Sequence, residues 1–97
     1  MKFMLITRYK DSFYVLPPEK LKELTDAAAQ HREKLTKEGT MKEVYYLGNM
    51  KGGMVIYDLK SPEDLVRIAE SPMFPFVDAE ITPLVDMDVV RKAQAKK

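Results

Sequence analysis

Ninety-seven residues, 45% hydrophobic and 32% charged, are enough for one small domain with a packed core and do not have the composition of a disordered chain. Sixteen basic against fifteen acidic residues leave a formal charge of +1, so no field of one sign steers the chain to nucleic acid or to an anionic membrane. The absence of cysteine excludes disulfides, thiolate metal sites and a cysteine nucleophile.

The opening run Met1-Lys2-Phe3-Met4-Leu5-Ile6 is broken by Thr7-Arg8-Tyr9-Lys10-Asp11, too early for a signal-peptide core. No stretch approaches the roughly 20 apolar residues of a membrane span, and a soluble cytoplasmic protein is expected. Phe3 to Tyr9 reads as a strand apolar on both faces, with Phe3, Leu5 and Tyr9 against Met4 and Ile6; such a strand belongs in the middle of a sheet. Asp11 to Leu16 is expected as a connection. Pro17-Pro18 then opens a helix running to about Glu38 and stopped by Gly39, with the apolar stripe Leu21, Leu24, Ala28, His31 and Leu35.

Thr40 to Leu47 and Met54 to Leu59 read as two strands of a hairpin joined by the glycine-rich turn Gly48 to Gly53. Those glycines do not have a phosphate-cradling spacing. Ser61-Pro62-Glu63-Asp64 predicts a helix start, Ser61 as N-cap and Asp64 closing a capping box, and Leu65, Ile68 and Ala69 give the short helix its stripe up to Ser71-Pro72. After the proline-bound loop Met73-Phe74-Pro75-Phe76, Val77 to Val85 alternates cleanly, Val77, Ala79 and Ile81 against Asp78, Glu80 and Thr82, with Pro83 suited to a sheet edge. Residues 86–97 form a tail, helical or frayed from Asp88 to Lys97, with the basic cluster Arg91, Lys92, Lys96 and Lys97.

The order β-α-β-β-α-β predicts a single ferredoxin-like α+β domain over residues 1–97, a four-stranded antiparallel sheet with both helices on one face. The other face would then expose a large apolar patch, and a second copy's sheet is the simplest cover. The expected partner is the chain itself, as a homodimer or larger closed assembly, with a small-molecule ligand and neither nucleic acid nor membrane.

The stretch Ser71-Pro72-Met73-Phe74-Pro75-Phe76-Val77-Asp78-Ala79-Glu80-Ile81-Thr82-Pro83-Leu84 resembles the C-terminal signature of the muconolactone isomerase family. Lys37-Glu38-Gly39-Thr40 is similar to its helix-end motif, and Tyr57-Asp58-Leu59 with Ser61-Pro62-Glu63 to its strand-to-helix junction. The resemblance covers roughly residues 15 to 86. It implies a dimeric α+β barrel and a cofactor-free proton transfer within a small lactone, carried by a carboxylate on the first helix. Counting back from the helix-end motif puts that carboxylate at about Ala28, and the nearest acids, Asp26 and Glu33, fall about 200° and 140° away around the helix.

His31, the only histidine, is the candidate catalytic residue: a proton shuttle if it meets a cavity, or a partly buried histidine bonded to a strand if it does not. Ala28 leaves room beside it for a ligand, and Arg8, Tyr45, Tyr46 and Tyr57 are the other candidate pocket residues, Arg8 to hold a carboxylate and the tyrosines to line an aromatic site. Asp78 and Glu80 share one strand face and are expected at solvent or an interface. No metal site and no cofactor are expected. Two functions follow: a cofactor-independent isomerase-type enzyme acting on a small cyclic or aromatic compound in a helix–sheet cavity, or a non-catalytic binding or assembly module without the carboxylate.

Overall fold

In the computed structural model, which describes residues 1–96, the chain runs through β1 (Lys2–Tyr9), α1 (Asp11–Tyr14), α2 (Pro18–Lys37), β2 (Met41–Tyr46), β3 (Gly52–Asp58), α3 (Glu63–Ala69), β4 (Val77–Pro83) and α4 (Met87–Ala95). Lys97, placed by the sequence in the basic tail, lies outside the described residues. The two strands that are apolar on both faces, β1 and β3, take the central places of an antiparallel sheet ordered β2-β3-β1-β4. β4, with its alternating pattern and Pro83, is an edge strand.

Directly paired residues of antiparallel strands share a face, so the register sorts every side chain. One face carries Phe3, Leu5, Thr7 and Tyr9 with Gly53, Val55, Tyr57, Val77, Ala79 and Ile81. Leu35 of α2 and Ile68 of α3 join Leu5, Met41, Tyr57 and Leu59 of that face in one buried cluster, which puts both helices on one side. The opposite face, free of helices, carries Met4, Ile6, Met54 and Ile56, half-buried, among Arg8, Glu43, Asp58, Asp78 and Glu80.

A bulge in β2 changes what alternation alone would give. Met41 pairs with Tyr57 and Glu43 with Ile56, so two steps on β2 match one on β3 and Lys42 is the extra residue. Val44 and Tyr46 are thereby returned to the helix face with Met41, and Tyr45 goes to the helix-free face. Strand β3 begins at Gly52 rather than at Met54, so both glycines belong to the ladder. A Cβ at Gly52 would run into the Thr7 carbonyl of β1, and only glycine allows that approach.

α2 begins at Pro18 and ends in a Schellman motif: Thr40 N–H bonds the Leu35 carbonyl (3.0 Å) and Gly39 N–H the Thr36 carbonyl (3.1 Å), with Gly39 at φ +80°. The connection after β1 contains the short turn of helix α1. At α3 the expected Ser61 side-chain cap is not formed. Instead Asp64, buried, accepts the Lys60 N–H at 2.8 Å, one residue earlier than a capping box requires, and Ser61 offers only its carbonyl to the Asp64 N–H.

Leu35 is the most enclosed side chain, 1% exposed at the centre of the cluster. Truncation there leaves a cavity the sheet cannot close. Leu35→Ala is expected to lower unfolding free energy by about 3 kcal/mol, read by urea denaturation; a loss below about 1 kcal/mol would contradict the packing described.

Candidate functional site

Taking Leu35 as the centre of the buried stripe, 100° per residue puts Ala28 about 20° away, His31 about 40° away on one side and Arg32 about 60° away on the other. The structure follows this arithmetic. Ala28 is 9% exposed and packs onto the sheet, its neighbours Ala27 and Ala29 facing open grooves on opposite sides of α2. Ala28 itself lines neither of these grooves. Between helices and sheet there is a void of only about 10 Å³, lined by residues such as Leu5, Tyr57, Ile68 and Ile81 and too small for anything beyond one water.

His31 points toward α3. Its Nε2–H donates to the carbonyl of Arg67 at 2.8 Å, because a carbonyl can only accept. The expected bond to a strand is replaced by one to the neighbouring helix, and His31 lines none of the grooves described below. The same junction is reinforced by Arg67, which pairs with Glu38 at the end of α2 and with Asp64 at 3.3 Å. His31 and Arg67 thus fasten α2 to α3.

The other candidates are divided between the two faces. Tyr46 and Tyr57 lie on the helix face; Arg8 and Tyr45 lie on the helix-free face, both exposed, and do not meet them. Asp78 and Glu80 are exposed on that same helix-free face.

The chemistry-bearing groups that do converge lie along the β2 side of α2. A groove of about 470 Å³ runs there between Ala29, Arg32 and Thr36 of α2 and Val44 of β2, with the Glu33–Lys37 pair (3.1 Å) at its rim. Tyr46 continues the exposed wall beyond Val44 on the same face of β2. Its row across the sheet is Gly53, Thr7 and Ala79, a floor of small side chains on which the Thr7 hydroxyl meets the Gly53 backbone at 3.3–3.4 Å. Above this floor Tyr9 stacks on Phe13 with centroids 4.1 Å apart, and Tyr14 meets both edge-on. The turn of helix α1 exists to place Phe13 and Tyr14 there.

Arg32 has no carboxylate within ion-pair distance among the described residues. Its guanidinium instead acts on two phenols. Burial pushes the Tyr57 hydroxyl up to about 12, Arg32 opposing. Burial also raises Tyr9, helped by the nearby Tyr46 and Tyr14 hydroxyls and again opposed by Arg32. Both phenols are protonated at neutral pH, as tyrosines ordinarily are; Tyr57 is buried in the core cluster, while Tyr9 is half-buried beside Phe13 and Tyr14. Arg32, Tyr9, Phe13 and Tyr14 escape a reading of the sequence; the available signal is that Arg32 stands four residues after Ala28, at the margin of the apolar stripe.

A second groove of about 410 Å³, almost wholly apolar, lies on the other side of α2 between Leu16, Leu24, Ala27 and Phe76, the last from the proline-aromatic motif. It carries only the Lys20–Glu23 pair as polar lining. It offers shape without chemistry.

The family model for muconolactone delta-isomerase matches residues 1–88. Among solved structures, a muconolactone isomerase superposes with a TM-score of 0.75 at 21% identity, covering 89% of this chain and 90% of that one. A 5-chloro-2-hydroxyhydroquinone dehydrochlorinase from Burkholderia phenoliruptrix AC1100, in complex with 2,5-dihydroxybenzoquinone, gives 0.58 at 14% identity over 92% of this chain and 98% of that one. At these identities both show the fold alone. No curated protein matches the chain.

Two outcomes test the site. His31→Ala removes one hydrogen bond at the α2–α3 junction and is expected to cost about 1 kcal/mol of stability while leaving ligand response unchanged; loss of ligand response at full stability would return His31 to the site. For Tyr57, a folded-state value above the unfolded value of about 10 means the folded state keeps a proton the unfolded state loses, so its stability contribution is complete below pH 10 and disappears as pH rises toward 12. Thermal melts between pH 9 and 12 should show a steeper alkaline loss in the wild type than in Tyr57→Phe.

Proposed function

Because the chain belongs to the muconolactone delta-isomerase family, we propose that it handles a small cyclic or aromatic compound bearing an anionic oxygen, held in the α2–β2 cleft by its own side chains without a cofactor. The observation that carries this reading is Arg32, a cation that lines the groove with no carboxylate within ion-pair distance among the described residues. An arginine and phenolic O–H groups supply the donors that a carboxylate, phenolate or enolate oxygen needs, and the Tyr9–Phe13–Tyr14 group supplies a flat apolar wall for a ring. The solved relatives, a muconolactone isomerase and a dehydrochlorinase in complex with a dihydroxybenzoquinone, are named for ring compounds of this kind, which supports the reading.

In a ring isomerisation a proton leaves a carbon next to a carbonyl, and the charge that develops on oxygen is what such donors stabilise. The step also needs a base. Position 28, where the resemblance puts a carboxylate, is alanine packed on the sheet, while Asp26 and Glu33 are exposed and Glu33 is engaged with Lys37. This one observation favours a second reading, a site that binds such compounds without turning them over. The two share the same residues and differ in the fate of the ligand.

We infer as well that the helix-free face pairs with that of a second copy. Met4, Ile6, Met54 and Ile56 form an apolar centre within a charged rim, the arrangement of an interface rather than of a wetted face.

A thermal-shift and calorimetric screen of small lactones, phenols and aromatic acids tests the site. Binding by the wild type and a tenfold or greater loss in Arg32→Ala, with folding intact, is the expected result. Equal affinity of the two proteins would remove Arg32, and with it the proposal. Muconolactone turnover is expected to stay below about 1 s⁻¹, the lower end of ordinary enzymes; faster turnover would show that another base does the work of the missing carboxylate.

A further inference from the structure

Between the end of β3 at Asp58 and the start of α3 at Glu63 the chain passes from the sheet to the helix layer. Leu59, 7% exposed, belongs to the buried cluster, while Leu65 near the start of α3 is left 39% exposed. With Phe3 of β1 and Pro62 they line a pocket of about 350 Å³, within the size range of small-molecule sites. Phe3, Leu59 and Leu65 also border the void of about 10 Å³, so these three side chains form the partition between pocket and core. Phe3 lies on the helix-covered side of the sheet, away from the face inferred to pair with a second copy. The pocket shares no residue with the groove of Arg32 and Val44.

Its polar lining is Lys60 and Ser61, and neither side chain has a hydrogen-bond or ion-pair partner among the described residues. The sequence nominates Ser61 as the cap of α3, but Asp64 takes the Lys60 N–H at 2.8 Å and leaves the Ser61 hydroxyl without that role. The nearby carboxylates are already engaged, Asp64 with Arg67 at 3.3 Å and Asp58 with the Met1 amino group at 3.3 Å. The Lys60 ammonium is therefore a positive charge at the mouth of an apolar hollow, with a hydroxyl next to it in the chain.

We propose that this pocket is a ligand site of its own, taking a small monocarboxylate with a compact apolar body. The body lies against Phe3, Leu59, Pro62 and Leu65, and the carboxylate is met by the Lys60 ammonium and the Ser61 hydroxyl. The chemistry selects the class. A plain hydrocarbon would leave both polar groups without a partner, and an amine would face a like charge. One cation and one hydroxyl match a single negative charge shared over two oxygens.

The experiment is a titration of the isotope-labelled full chain with 4-tert-butylbenzoate at millimolar concentration, followed through its backbone amide resonances. The uncharged 4-tert-butylbenzamide and acetate, a headgroup without a body, serve as comparisons. The amides of Phe3, Lys60, Ser61 and Leu65 are expected to shift and saturate. The benzamide should bind more weakly, and Lys60→Ala, an exposed change that leaves the fold intact by circular dichroism, should weaken the acid about fivefold, the size of an exposed ion pair. Leu65→Trp should fill the pocket and abolish the shifts, and acetate should produce none. Shifts confined to Arg32 and Val44 overturn this site and leave the α2–β2 cleft standing. Equal affinity for acid and amide, or no weakening in Lys60→Ala, overturns the assignment of the carboxylate. Unchanged binding by Leu65→Trp overturns the placement of the body. Acetate acting as strongly as the larger acid does the same, by a readout that does not require the Trp variant to fold. No shift at any amide overturns the proposal outright.

Discussion

Leu35 determines how α2 sits, and the position of α2 determines which side chains border the grooves on its two flanks. With that side chain 1% exposed against Leu5, Met41 and Tyr57, the rotation of the helix about its axis is no longer free. Every other residue of α2 then has a fixed bearing. Ala28 is driven onto the sheet, His31 is turned to the Arg67 carbonyl of α3, and Arg32 is turned to β2. Three residues within five positions acquire three roles: spacer, fastener and cation.

The cost of this arrangement is that the space between helices and sheet is filled. A void of about 10 Å³ admits no more than one water, and the open groove lies instead on the flank of α2, bordered by Arg32 and Val44. Of the tyrosines on that face, Tyr46 and Tyr14 are exposed, Tyr9 is half-buried and Tyr57 is enclosed in the core cluster. Arg32 would be unexceptional on a solvated helix face. Its interest comes from standing near buried hydroxyls with no carboxylate to satisfy it.

The same sheet serves two surfaces. Helices cover one face, and the other is left with aliphatic side chains in the middle and charges around them. The bulge at Lys42 matters to both, because it moves Tyr46 to the helix side and Tyr45 to the other. A strict alternation through β2 would have grouped Glu43 and Tyr45 with Met41 under α2, burying a carboxylate and closing the groove.

The order β-α-β-β-α-β, the central place of β1, the edge position of β4, the α2 stripe and its glycine stop were legible in the residues, while the helical turn α1 was not. These features depend on local periodicity and on the backbone preferences of proline and glycine, which act over a few positions. The family resemblance was legible for the same reason, its motifs being short and contiguous. The candidate pocket was not: Arg8 and Tyr45 belong to the opposite face from Tyr46 and Tyr57, and His31 bonds a helix whose carbonyl is 36 residues away in the chain. What the tertiary structure alone decided was the pairing register, the bulge at Lys42 and the rotation of α2. Each is settled by which distant side chains fit together in the core, and no spacing within a single segment records that.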